Sequence, residues 1–176
     1  MVVALFSSMS EAMNARKKPR VKLADLQPGK KNNSILIVQK ALARVSKGRV
    51  TSPVPGYRIS YRYGVRNPRY VAGYHTGNDY AAPVGTPVVA VRNGTIKWSD
   101  SHGGAYGNWI GLEAHNGRVY VYSHLSVRRV KKGQKVKAGQ RLGLVGRTGN
   151  VTGPHLHFED HPQGRFVYGQ GRKPRW

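Results

Sequence analysis

From Thr86 onward the chain is written as short apolar runs broken by Asn-Gly pairs and single glycines, and this punctuation limits what it can fold into. Residues 87–91 and 95–98 flank Arg92-Asn93-Gly94, and residues 109–114 and 118–122 flank Asn116-Gly117. Both central residues of a tight hairpin turn need positive φ, so Asn-Gly between apolar runs predicts a hairpin at each place. Gly133, Gly139, Gly143, Gly146, Gly149 and Gly153 then divide residues 130–157 into segments too short for helices. The expected fold is mainly β, with antiparallel sheets, curled or partly closed.

Ahead of this region the text changes. Residues 1–32 are polar and basic without an apolar period, and Arg16-Lys-Lys-Pro-Arg20 reads as an exposed arm. Over residues 33–50, Ile35, Val38, Leu42 and Val45 recur at helical spacing after Asn33 or Ser34 as N-cap, and Gly48 marks the stop. One short N-terminal helix is predicted there. Residues 51–176 form the main domain. Its entry, residues 51–74, is rich in proline, glycine and tyrosine and reads as loop or edge strand. Tyr57, Tyr61, Tyr63, Tyr70 and Tyr74 either pack over the rim of a core or form a wall beside a substrate groove.

A chain of 176 residues has room for one such domain and an appendage. Lys and Arg number 30 against 7 Asp and Glu, a formal charge of +23 that calls for an anionic partner: nucleic acid, a membrane surface or a cell wall. Absence of cysteine removes disulfides and thiolate chemistry. Met1-Val-Val-Ala-Leu-Phe6 is shorter than the core of a signal peptide, so no cleavable signal is read, and no stretch is long enough to span a membrane.

Chemistry concentrates in the histidines. In His155-Leu156-His157-Phe158-Glu159, strand alternation turns Leu156 and Phe158 into a core and His155 and His157 onto one patch. His75 and Asp79 are four apart; extended, their backbones would be about 13 Å apart. Gly77-Asn78 between them is turn chemistry that lets imidazole and carboxylate meet. Three N/O ligands with a fourth position left to water describe a catalytic zinc site. His124, at the end of a predicted strand, reads by itself as a hydrogen-bonded rim residue. His102, His115 and His161 are expected to be exposed and without a role. Glu159 is either a partner of a ligand histidine or a plain surface carboxylate.

Several of these segments together resemble the lysostaphin-type, or LytM-type, zinc endopeptidases that cut peptidoglycan peptides. The similarity runs through His75-Thr-Gly-Asn-Asp79-Tyr-Ala-Ala-Pro-Val-Gly-Thr-Pro-Val88 and His124-Leu-Ser126. It continues through Val130-Lys-Lys-Gly-Gln-Lys-Val-Lys-Ala-Gly-Gln140 and Thr148-Gly-Asn-Val-Thr-Gly-Pro-His-Leu-His-Phe-Glu159, within residues 57–168. The resemblance implies antiparallel strands forming a groove with one zinc at its floor, His75, Asp79 and His157 as ligands, and His124 and His155 as the catalytic pair. Leu26-Gln-Pro-Gly-Lys-Lys-Asn32 and residues 35–45 also resemble the start of small helical peptidoglycan-binding modules of phage lysins.

The expected activity is zinc-dependent hydrolysis of peptide bonds in bacterial peptidoglycan by a monomer, drawn to anionic wall polymers by its charge. A phage lysin released to the wall fits a chain without a signal peptide. The rival readings are a catalytically inactive wall-binding or hydrolase-activating domain of the same fold, and a nonspecific nucleic-acid-binding protein without base recognition. Specificity is expected in residues 57–74 and 99–108.

Overall fold

The computed structural model describes residues 52–176; the basic arm and the helix expected over residues 33–50 lie outside them. Nine strands follow in order: β1 (Asn78–Ala81), β2 (Pro87–Val89), β3 (Gly94–Asp100), β4 (Trp109–Ala114), β5 (Val119–Ser123), β6 (Leu125–Arg128), β7 (Lys135–Val136), β8 (Arg141–Val145) and β9 (His155–His161). They make a six-stranded sheet in the order β1-β9-β5-β4-β3-β7 and a three-stranded sheet in the order β2-β8-β6. Every pairing is antiparallel. The larger sheet ends on β1 and β7 rather than joining them, so it curls without closing into a barrel.

Apolar residues of both sheets meet in one core. Ile96, Ile110, Leu112, Tyr122, Leu156 and Phe158 from the larger sheet pack with Val88, Leu125, Leu142 and Val145 from the smaller one. Leu156 and Phe158 are fully buried, as their alternation with the two histidines requires. Burying side chains of this size contributes about 1.5–3 kcal/mol each, which ties the first half of β9 to the core.

The two Asn-Gly turns part company. Asn116-Gly117 closes the β4–β5 hairpin, with Gly117 at φ 75° and the Gly117 amide donating to the Ala114 carbonyl. Asn93-Gly94 does not close a hairpin, because β2 pairs with β8 in one sheet and β3 with β4 and β7 in the other. Here the pair carries the chain between sheets. Asn93 Oδ1 accepts from the Ala138 amide at 2.8 Å, and a Cβ on Gly94 would collide with the Glu113 carbonyl. The hairpin expected at Asn93-Gly94 is thus replaced by a crossing, since apolar burial favours splitting the two runs between sheets.

Candidate metal and catalytic site

Asp79 on β1 and His157 on β9 are direct partners in the strand register, two residues from the pair Ala81 and His155. Their side chains therefore leave the same face of the sheet. His75 precedes β1 and reaches the same point, its Nε2 lying 3.1 Å from Asp79 Oδ1 and 3.2 Å from His157 Nδ1. His157 Nδ1 lies 2.8 Å from the same carboxylate oxygen. Gly77 permits this approach: a Cβ there would meet the Phe158 carbonyl and the His157 ring at 2.5–2.9 Å. In place of the turn read from Gly77-Asn78, the chain bends at Gly77 alone and Asn78 already belongs to β1, so Gly77 serves as a close-packing site.

These three donor atoms fit a metal ion. In a tetrahedral zinc site with bonds of about 2.0–2.1 Å, ligand atoms sit roughly 3.3 Å apart. The observed separations of 2.8, 3.1 and 3.2 Å already outline one face of such a tetrahedron. The far nitrogens are occupied as ligation demands. His75 Nδ1 donates to the Arg62 carbonyl at 2.9 Å, and His157 Nε2 to Glu159 Oε1 at 3.0 Å. A carbonyl can only accept, so His75 carries its proton on Nδ1 and turns the Nε2 lone pair inward.

Electrostatics favour a cation here. Burial opposes ionisation of Asp79, yet the hydrogen bond from His157 and the adjoining His75 imidazole more than offset it and hold the carboxyl well below the usual range. Burial likewise opposes a charge on His157, but its hydrogen bonds to Asp79 and Glu159 prevail and raise it to about 9 when no cation lies between them. Below that pH a metal must expel a proton to bind. Apparent metal affinity is therefore expected to rise about tenfold per pH unit from pH 6 to pH 8, in competition titrations with a chelator of known proton linkage; a flat profile would contradict it.

His124 and His155 stand beside this cluster with ring centroids 4.7 Å apart, and His155 Nε2 is 3.8 Å from Asp79 Oδ1. Each donates its Nδ1 proton to a backbone carbonyl at 2.9 Å, His124 to Thr148 and His155 to Gly153. That leaves both Nε2 atoms as lone pairs available to a reacting group. His124 has φ 64°, the one non-glycine residue with positive φ among the described residues. It occupies the single position between β5 and β6, where the chain changes sheets. Its acceptor is secured in turn, because Thr148 Oγ1 accepts from the Asn108 amide and donates to the Leu125 carbonyl, both at 3.0 Å. Burial, then the neighbouring His157 and His155, lower the His124 pKa to about 4, so its ring is neutral at physiological pH.

Sequence reasoning left Glu159 between two readings and missed His161 and Tyr106 beside it. Glu159 is fully buried and accepts from His157 Nε2, from His161 Nε2 at 2.7 Å and from the Tyr106 hydroxyl at 2.8 Å. His161, expected to be exposed, is 2% exposed. The available signal was the alternation itself: β9 extends two residues past Glu159, so 155, 157, 159 and 161 share one face. His102 and His115 are exposed as expected. Replacing Glu159 with Gln should weaken metal affinity roughly 10–100-fold with little change in melting temperature, which chelator competition on the purified variant measures.

Tyrosines line the other side. Tyr61 and Tyr70 approach the His75 ring at 4.8 and 5.7 Å, and the Tyr61 backbone pairs with Asp79 as an added edge to β1. The segment entering the domain thus braces the cluster. The open side is at Asp79 and His155, whose side chains are 16% and 18% exposed.

A family model described as peptidase family M23 matches residues 73–168, more than half of the chain. The chain belongs to this metallopeptidase family. Over 118 residues it is 41% identical to the peptidoglycan DD-endopeptidase ShyC of Vibrio cholerae, covering 65% of this chain and 27% of that protein. Over 93 residues it is 48% identical to ShyA, another peptidoglycan DD-endopeptidase of that organism, covering 53% and 21%. The chain therefore spans about a quarter of the length of these relatives. Its structure matches the catalytic domain of the antimicrobial peptidase lysostaphin from Staphylococcus simulans with a TM-score of 0.64 and 36% identity, covering 69% of this chain and 91% of that one. It also matches a variant of the catalytic domain of a prophage-encoded protein of the same family from Enterococcus faecalis, with a TM-score of 0.57 and 35% identity, covering 70% and 95%.

Proposed function

We propose that this metallopeptidase domain is a zinc endopeptidase that hydrolyses peptide bonds of bacterial peptidoglycan. The observation that carries the reading is the convergence of His75 Nε2, Asp79 Oδ1 and His157 Nδ1, with both imidazoles held from behind by acceptors. The single His75, Asp79 and His157 cluster supports one metal per chain, and the reading is of a monomer. When bound, zinc supplies Lewis-acid polarisation of the scissile carbonyl and a water acidic enough to attack near neutral pH.

The remaining chemistry falls to His124 and His155. Water attacking a peptide carbonyl over the open side at Asp79 and His155 would find an Nε2 lone pair to accept its proton. One such nitrogen takes the proton of the attacking water and hands it to the leaving amine. Once protonated, an Nε2–H also donates to the oxyanion that forms. The Thr148 and Gly153 carbonyls favour this cycle, because they hold each ring in the tautomer that accepts at Nε2 and stabilise the imidazolium that results.

The substrate class rests on the peptidoglycan endopeptidases and lysostaphin among the similar proteins. A lysin setting is consistent with the prophage-encoded structural neighbour, and anionic wall polymers suit the charge of +23. The test is turbidity of a suspension of purified cell walls. Zinc-loaded protein should clear it, chelator should stop the clearing, and mass spectrometry should find new amino termini within stem peptides or cross-bridges. Walls left intact by the zinc-loaded protein would point to an inactive binding domain of this fold.

A further inference from the structure

The proposed centre leaves one large surface feature unused. The chain departs from the site at His124 and returns at Thr148, whose carbonyl holds the His124 ring. Between these two points, residues 128–147 contain eight lysines and arginines, no acidic residue and no aromatic one. All of these cations except Arg128 are exposed. No carboxylate among the described residues serves them. Asp79 faces His75 and His157, Asp100 accepts from Trp109, Glu113 pairs with Lys97, Glu159 holds His157 and His161, and Asp160 takes Arg118.

The backbone presenting these charges is tightly built. Gln134 and Gln140 turn their amide oxygens inward onto the amides of Lys131 and Lys137, closing the two turns. β7 between the turns is pinned to β3, and β8 to β2 and β6. Lys135 and Lys137 lie about 7 Å apart on extended chain, inside a Debye length of about 8 Å. Their potentials add, as do those of adjacent Lys131 and Lys132. A rigid cationic face of this kind binds a chain of repeated negative charges.

We propose that the face formed by residues 129–147 binds the phosphodiester polymers of the bacterial wall and so tethers the enzyme beside its substrate. The inference rests on the reading that the substrate lies in the wall. Nucleic acid is the weaker partner for this face. It offers no aromatic ring on which bases could stack and, among the described residues, no α-helix to enter a major groove. What it offers is point charges for phosphates alone.

Two charge-swapped variants test this, Lys131→Glu/Lys132→Glu and Lys135→Glu/Lys137→Glu, beside the unaltered chain. Retention is measured on walls that carry phosphodiester polymers and on the same walls stripped of them, across a salt series. Retention on intact walls should fall roughly tenfold or more in each variant and at high salt, whereas stripped walls should hold all three proteins equally weakly. Hydrolysis of a soluble peptidoglycan peptide should be unchanged, which also reports folding. Equal retention of variants and unaltered chain on intact walls, or equal retention of the unaltered chain on intact and stripped walls, overturns the proposal. So does tighter, swap-sensitive binding to duplex DNA at matched phosphate concentration. If no protein cleaves the soluble peptide but the retention pattern holds, the tether stands and the catalytic reading fails.

Discussion

Replacing Asp79 with alanine is expected to remove metal binding and hydrolysis together. Asp79 is the one anion among the three proposed ligands, and its carboxylate oxygen lies within 3.1 Å of both ligand imidazoles. Without it, two neutral nitrogens remain in a buried pocket. Lewis-acid stabilisation of the transition state is worth several kcal/mol, and each 1.4 kcal/mol is about tenfold in rate. Turnover should therefore drop roughly 10³-fold or more. The fold should survive, because the β1–β9 pairing rests on backbone bonds and on buried Tyr80 and Leu156 on the opposite face. Metal content after dialysis, release of a soluble peptide and thermal melting together decide the matter. An Asp79→Ala protein that keeps both stoichiometric metal and turnover would remove this residue from the site.

Alanine at His124 or at His155 should act differently, leaving the metal bound while turnover falls by roughly 10²–10⁴-fold, the usual contribution of a positioned acid or base. The two rings touch, and each presents an Nε2 lone pair whose tautomer a carbonyl enforces. A shared role implies strong non-additivity, so the double variant should be little worse than either single one. His124 stays neutral down to about pH 4. An activity decline between pH 7 and pH 5 should thus follow proton competition for the metal ligands rather than loss of His124 as a base. Saturating zinc should move that decline to lower pH in the unaltered enzyme; a decline that zinc does not move would instead trace to a residue outside the ligand set.

The positive φ of His124 bears on the same result. A left-handed conformation at a non-glycine residue is costly and persists only where surrounding contacts over-determine it. Here the His124 amide donates to the Tyr106 carbonyl at 2.9 Å, while its ring is held by Thr148. Backbone and side chain are therefore clamped from two loops. The strain sits at the position where the chain passes from the larger to the smaller sheet, which is also where the ring must face the ligands.

Much of the site was legible because it is written in local patterns. Alternation along residues 155–161 fixes which side chains share a face whatever the strand pairs with, and burial of Leu156 and Phe158 follows from the same period. Asn116-Gly117 announced a hairpin, since that depends on backbone geometry within a few residues. The grouping of His75 and Asp79 with His155 and His157 was readable from their joint occurrence in one β domain; that His157 is the ligand and that His155 pairs with His124 came from the resemblance, which carries long-range information that spacing does not.

Other features needed the tertiary structure, for one physical reason: they rest on partners that a linear pattern does not mark. Tyr106 reaches Glu159 across 53 residues, and the acceptors that orient His75, His124 and His155 are ordinary backbone carbonyls with no signature in the text. Asn93-Gly94 has the same local chemistry as Asn116-Gly117, yet core packing draws its two flanking runs into different sheets. Residue types and periods were sufficient to set out a mainly β chain with a candidate metal cluster. Only the packed sheets set the tautomers of His75, His124 and His155 and bury His161 with Glu159, because hydrogen-bond partners and desolvation are properties of the folded surroundings.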